Sequence, residues 1–134
     1  MIGTARYWRE VPQRYRYEAA QCTKCDKIYF PPRLLCGKCR GREFRKTILP
    51  HDGTIETFTV IRVAPGGFTD EAPYAVGIVK LSNGVRLTTQ IVDCNPGELQ
   101  IGDKVRLEFR RIQQDGESGI LCYGYKFVPA TARA

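Results

Sequence analysis

Two Cys-x-x-Cys pairs, Cys22-Thr23-Lys24-Cys25 and Cys36-Gly37-Lys38-Cys39, constrain this chain more than anything else in it. Two residues between partners let both sulfurs of a pair face one centre from a tight turn. The intervening residues 26–35 are long enough to run out and back as a short hairpin, which would deliver four thiolates tetrahedrally. That is the donor set of a closed structural Zn²⁺ site, with Cys22, Cys25, Cys36 and Cys39 as ligands. Iron in the same set of sulfurs and disulfides in an oxidising compartment are the alternatives. Four thiolates leave no position for water, so the metal is read as holding the fold and doing no chemistry. Cys94 and Cys122 stand alone and read as small buried hydrophobes.

At 134 residues with 43% hydrophobic content, the chain suits one ordinary domain or a small metal module joined to a compact barrel. No run approaches the length of a membrane-spanning helix, and residues 1–6 lack the apolar segment of a signal peptide. Together with metal-spaced cysteines, this makes a reducing cytoplasm the expected location. The net charge of +7 is uneven. Residues 1–50 hold 12 Lys/Arg against 4 Asp/Glu, whereas residues 51–134 hold 9 against 10. A basic face on the N-terminal part suits a phosphate-bearing partner or an acidic protein surface, or is simply a solvated surface.

Residues 7–11 read as one or two helical turns stopped by Pro12, with aromatics that dock on a neighbour. Ile28-Tyr29-Phe30 reads as the apolar strand of the cysteine hairpin, and Pro31-Pro32-Arg33 as its extended return. A strand over residues 43–49 leaves the module, and Pro50-His51-Asp52-Gly53 is a turn and junction. This divides the chain into residues 1–50, an N-terminal segment and zinc ribbon, and residues 51–134, a barrel.

Beyond residue 53 the pattern is all β. Strands are expected over 54–63, 74–81 and 85–92, the last two joined through Asn83-Gly84, the strongest short-range hairpin signal. Val85, Leu87, Thr89 and Ile91 alternate with Arg86, Thr88 and Gln90, so one face is buried and one wet. A helical turn is expected over 95–99. A fourth strand then carries Val105, Leu107 and Phe109 inward, followed by a polar hairpin loop over 113–119. A fifth strand over 120–128 precedes a loose tail over 129–134. Five strands, a break after the third, and a first strand long enough to bend describe an OB-fold barrel. An SH3-like barrel or small sandwich is the structural competitor. The fold class is therefore mostly β: an N-terminal helical turn, a rubredoxin-like zinc ribbon and a five-stranded OB-fold barrel. An α/β catalytic scaffold is excluded.

Read in order, Trp8, the first cysteine pair, Tyr29-Phe30-Pro31-Pro32-Arg33, the second pair, Gly53-Thr54-Ile55-Glu56-Thr57-Phe58-Thr59-Val60, Ala72-Pro73-Tyr74 and Ile101-Gly102-Asp103-Lys104-Val105 form a pattern. It resembles the zinc-ribbon plus OB-fold proteins catalogued as a domain of unknown function and associated with acyl-CoA enzymes. The resemblance spans nearly the whole chain, and Phe30-Pro31-Pro32-Arg33 is its most specific element. It implies a non-catalytic subunit of thiolase-like enzymes. The archaeal type bridges acetoacetyl-CoA thiolase to hydroxymethylglutaryl-CoA synthase in the mevalonate pathway of isoprenoid biosynthesis, where the OB-fold helps form a shared CoA site. The implied partners are a thiolase-family enzyme, that synthase and acyl-CoA.

The residues themselves offer little catalytic equipment. His51, the only histidine, sits in a turn and reads as bonded to its neighbours. No nucleophile elbow or zinc-protease motif occurs. Ala64-Pro65-Gly66-Gly67-Phe68 lacks the Lys-Ser/Thr of a P-loop. It is either a mobile turn or a bare backbone that a ligand approaches, with Phe68 as an apolar plug. Arg33, Arg62 and Arg86 are weighed alike as solvated residues or phosphate partners; Arg62, beside the Gly-Gly loop, is where a guanidinium could pair with a phosphate bidentately, and Arg33 or another basic residue of the ribbon could serve instead. CoA presents phosphates and a thin pantetheine arm, so Arg62, Gly66, Gly67, Phe68 and Tyr74 are the candidate CoA-contacting residues. The alternative function is a nucleic-acid-binding module, a role zinc ribbons and OB-folds also serve. Against it stand a slightly acidic barrel half and no paired-aromatic stacking platform. A stand-alone enzyme is the third and weakest reading.

Overall fold

A computed structural model describes residues 3–114, 117 and 120–130. Pro12 does not stop the N-terminal helical segment. Helix α1 spans Thr4–Arg9, the chain turns at Glu10, and helix α2 spans Val11–Tyr15 with Pro12 in its first turn. There the missing proline N–H has no helical partner to lose. Tyr7 and Tyr15 hydrogen-bond to each other, and the Tyr7 hydroxyl accepts from the Tyr123 N–H at 3.2 Å. Trp8, expected to dock, is instead 76% exposed.

Strand β1 (Glu18–Cys22) lies between β2 (Ile28–Tyr29) and β3 (Phe44–Ile48), antiparallel to both. The barrel follows, built from β4 (Asp52–Ile61), β5 (Tyr74–Leu81), β6 (Arg86–Ile91), β7 (Lys104–Gln114) and β8 (Leu121–Pro129). Its order is β4-β5-β6-β8-β7, closed by β4 on β7. Only the β6–β8 contact is parallel. This is the closed Greek-key arrangement of an OB-fold, and it removes the SH3-like barrel and sandwich alternatives. Strand β4 begins at Asp52, so part of the expected junction turn is already strand. A register shift between Ile55 and Thr57 bends it, which lets one strand pair with both β5 and β7. The expected helical turn is a short 3₁₀ turn at Pro96–Glu98. Strand β7 runs to Gln114, into the expected loop over 113–119. The rest of that loop lies largely outside the described residues, as does the tail beyond residue 130. Pro129, assigned to the tail, belongs to β8.

Ile55, Val79, Leu87, Ile91, Val105, Leu107 and Phe127 fill the barrel, as the alternation predicts. Phe109 has the same parity as Val105 and Leu107 yet is 45% exposed. The reason is geometric. β4 covers β7 only as far as Arg106, and beyond it the β7–β8 hairpin projects past the closed wall. The Phe109 ring is instead covered by Tyr15 at 5.0 Å and stacked on Tyr123 at 5.2 Å, which clamps α2 to the hairpin. The two sheets also share a core: Tyr17, Ala19 and Leu49, from in and around the three-stranded sheet, cluster with the barrel residues. Phe30 packs on Tyr125 at 5.4 Å. No helix among the described residues is long and apolar enough to cross a membrane.

Gly77 shows how tightly β4 and β5 meet. A Cβ there would lie 2.7 Å from the Thr57 carbonyl oxygen, whereas one on Gly66 would meet nothing within 4 Å. Gly77→Ala is therefore expected to cost about 1–3 kcal/mol by overpacking, read as a lower urea midpoint. Gly66→Ala should leave that midpoint within about 0.5 kcal/mol of wild type.

Candidate metal centre and ligand grooves

The two cysteine turns have the same build. In each, the N–H four residues past the first cysteine closes back on it: Asp26 N–H donates to the Cys22 carbonyl and Arg40 N–H to the Cys36 carbonyl, both at 3.0 Å. Asp26 and Arg40 adopt positive φ, 61° and 60°, which reverses the chain just after each second cysteine. The Cys22 N–H donates to the Lys27 carbonyl and the Cys36 N–H to the Gly41 carbonyl, both at 2.9 Å. Two equivalent turns thus face each other, and their four ligand sulfurs lie within 4.8 Å of one another. Cys22 and Cys39 are 3.5 Å apart, and Cys25 and Cys36 are 3.4 Å apart. Tetrahedral Zn–S bonds of about 2.3 Å put sulfurs about 3.8 Å apart, so the cradle has the size of a four-thiolate metal site.

The ionisation of the sulfurs agrees with that size. Cys36 is drawn down to about 5, first by the Cys39 N–H and then by the Tyr29 hydroxyl, and the Cys25 N–H lowers Cys22. The Lys27 N–H favours a Cys25 thiolate too, yet burial and the neighbouring sulfurs push Cys25 up to about 11. Charge on one sulfur thus makes ionisation of its neighbours costly, and a divalent cation removes that cost. None of the six cysteines is in a disulfide, and Cys122 is buried while Cys94 is half-buried.

The candidate CoA residues are divided by the structure. Phe68 is half-buried and packs on buried Tyr74 at 6.1 Å between ring centroids. Both line a groove of about 400 Å³, together with Arg14, Val76, Tyr123 and Tyr125. Arg62, Gly66 and Gly67 are exposed on the preceding loop and do not line it. Arg86 is paired with Glu56 at 2.7 Å, and Arg33 lies over the Tyr29 ring. The groove opens because β6 and β8 meet only at Ile91 and Phe127 and diverge from there. A second groove, about 440 Å³, adjoins it across Tyr74 and is lined by Arg110, Arg111 and Lys126. Lys126 is only 5% exposed, and its ammonium lies 3.5 Å from the Glu71 carboxylate. That carboxylate also accepts from Gln90 at 2.8 Å, tying the 3₁₀ turn Thr69–Glu71 to the barrel wall. Arg14 and Lys126 escaped the sequence reading because neither sits in a motif; only the fold brings them to the grooves. His51 makes no groove and packs edge-on to Tyr17.

Comparison with known proteins agrees with this architecture. Residues 9–45 match the family described as "ChsH2, rubredoxin-like zinc ribbon domain", and residues 48–110 match "ChsH2, C-terminal OB-fold domain". A protein of Methanothermobacter thermautotrophicus named "DUF35 domain-containing scaffold protein" is 41% identical over 98% of this chain and 99% of its own. The chain belongs to the DUF35 family. A more distant relative is the benzoylsuccinyl-CoA thiolase subunit BbsA of Thauera aromatica, 28% identical over 80% of this chain and 72% of that one. The solved structure titled "Ltp2-ChsH2(DUF35) aldolase" superposes with a TM-score of 0.74 at 26% identity, covering 97% and 98% of the two chains.

Replacing Cys22 or Cys36 by serine is expected to abolish stoichiometric zinc in the purified DUF35 protein, measured by elemental analysis. The far-ultraviolet β signal should largely persist, because the barrel is closed by its own hydrogen bonds. The thermal midpoint should nevertheless fall by about 5 °C or more, since the ribbon supplies part of the shared core. Folded wild-type protein with neither zinc nor iron would contradict the metal assignment.

Proposed function

We propose that this protein is a non-catalytic scaffold subunit of acyl-CoA enzymes that helps form a shared CoA site. In the finer form of the proposal it couples a thiolase to hydroxymethylglutaryl-CoA synthase in the mevalonate pathway, in the cytoplasm. The observation that carries it is the chain-long likeness to a protein named as a scaffold. A thiolase subunit among the relatives and an aldolase assembly among the solved structures support enzymes of acyl-CoA metabolism as partners. The mechanism is proximity. A thioester held between two active sites is consumed before it escapes to solvent, and the second step draws an uphill condensation forward.

CoA chemistry suits the two grooves. In this reading the pantetheine arm lies along Phe68 and Tyr74, and the phosphates meet Arg14 on one side or Lys126, Arg110 and Arg111 on the other. Arg62 and the Gly66-Gly67 backbone form the exposed approach on the same loop. The nucleic-acid alternative is weakened by the use of other arginines of the basic half: Arg6 pairs with Glu10, Arg16 with Glu18 and Arg45 with Asp26.

The isolated protein is expected to turn over no acyl-CoA, and co-expression with an acetoacetyl-CoA thiolase should give a complex stable to gel filtration. Isothermal titration of that complex with CoA should show about tenfold weaker binding for Phe68→Ala and Arg14→Ala, a loss of about 1.4 kcal/mol each. Arg62→Ala separates the exposed loop from the grooves as the phosphate contact. Equal affinity in all three variants would place the ligand within the partner enzyme alone. Retention of single-stranded nucleic acid near physiological salt would favour the alternative.

A further inference from the structure

The four sulfurs are not in equivalent surroundings. Cys22 and Cys36 are fully buried, Cys25 is half-buried and Cys39 is exposed. Buried Cys36 accepts the Cys39 N–H at 3.5 Å and lies 3.4 Å from the Tyr29 hydroxyl. A third contact sets the direction of the second. The Gly37 N–H lies 2.8 Å from the Tyr29 hydroxyl oxygen, and an amide N–H can only donate. The phenol oxygen is therefore the acceptor there, and its single proton is left to point elsewhere. Among the described residues the acceptor within reach is the Cys36 sulfur. The chain of donation runs from Gly37 N–H to the Tyr29 hydroxyl and on to the Cys36 thiolate.

The ring that carries this hydroxyl is held in place. Tyr29 is buried on β2, packed edge-on to Phe44 of β3 at 6.2 Å. The Lys27 ammonium and the Arg33 guanidinium lie 5.2 Å and 5.1 Å from its ring centroid. Four thiolates with one Zn²⁺ carry a net charge of −2, so hydrogen bonds to sulfur and nearby cations stabilise the loaded centre.

We propose that Tyr29 is the positioning residue of the metal centre. Its hydroxyl, oriented by Gly37, donates to the Cys36 thiolate, lowers that sulfur's reactivity and keeps it on the metal. Cys39, exposed, is then the sulfur at which the centre opens to chelators and electrophiles. The centre thus has a fixed side and a labile side.

Tyr29→Phe keeps the ring and removes only the hydroxyl. It is expected to speed zinc transfer to a competing chelator about tenfold, in line with the loss of one outer-shell partner. In the cobalt-loaded variant the thiolate-to-metal charge-transfer band should move to lower energy, because the Cys36 sulfur becomes more electron-rich. Limited alkylation of zinc-loaded wild type should modify Cys39 first, and Cys36 should join it in the variant. Should Tyr29→Phe not fold, the wild type still decides: NMR-active cadmium in the site should show a scalar coupling to the Tyr29 hydroxyl proton. An unchanged release rate with an unchanged cobalt band overturns the proposal, as does absence of that coupling.

Discussion

Four sulfur atoms within 4.8 Å of one another cannot all be thiolates unless a cation shares their charge, and the ribbon is organised around that constraint. Its three strands are short and its two turns are closed mainly by backbone hydrogen bonds to the cysteines. A metal adds the energy that so small a module lacks in apolar core. The consequence reaches beyond the ribbon. β1 places Ala19 in the barrel's core, and Tyr17 and Leu49, just before β1 and just after β3 at the same end of the sheet, bond to each other through the Leu49 N–H and Tyr17 carbonyl. Sheet and barrel therefore share one core, and loss of zinc is expected to lower the barrel's stability.

The barrel's grooves arise where its closure is thinnest. β6 and β8 touch at a single residue pair, so the wall between them parts into grooves on either side of Tyr74. The loop after β4 would be free to drift were Glu71 not bonded to Gln90 and paired with Lys126. A buried lysine without such a carboxylate would be costly, so the pair both satisfies Lys126 and fixes the wall of both grooves. The N-terminal helices add a third wall through Tyr7 and Tyr15, which explains why Arg14, remote in sequence, reaches the groove.

The scaffold role proposed above calls for surfaces and a ligand groove rather than a reactive constellation. The one histidine packs on a tyrosine, and the ribbon's thiolates face a structural metal cradle. Chemistry of the metal centre is confined to its stability, with Tyr29 securing one sulfur and Cys39 facing solvent.

The cysteine spacing alone determined the ribbon, because two residues between ligands admit few backbone paths to a common centre. Period-two alternation around Asn83-Gly84 likewise determined β5 and β6, since each side chain's face follows from the pleat. Alternation failed at Phe109 because parity says which side a residue faces, not whether a neighbouring strand still covers that side. Pro12 misled because its effect depends on where in a helix it falls. The grooves were beyond the sequence for a related reason: Arg14, Tyr74 and Lys126 come from α2, β5 and β8, and only the tertiary fold sets them near one another. So too with Tyr29. Its place in the hairpin was legible, but the direction of its proton depends on a Gly37 amide that the second cysteine turn swings to within 2.8 Å.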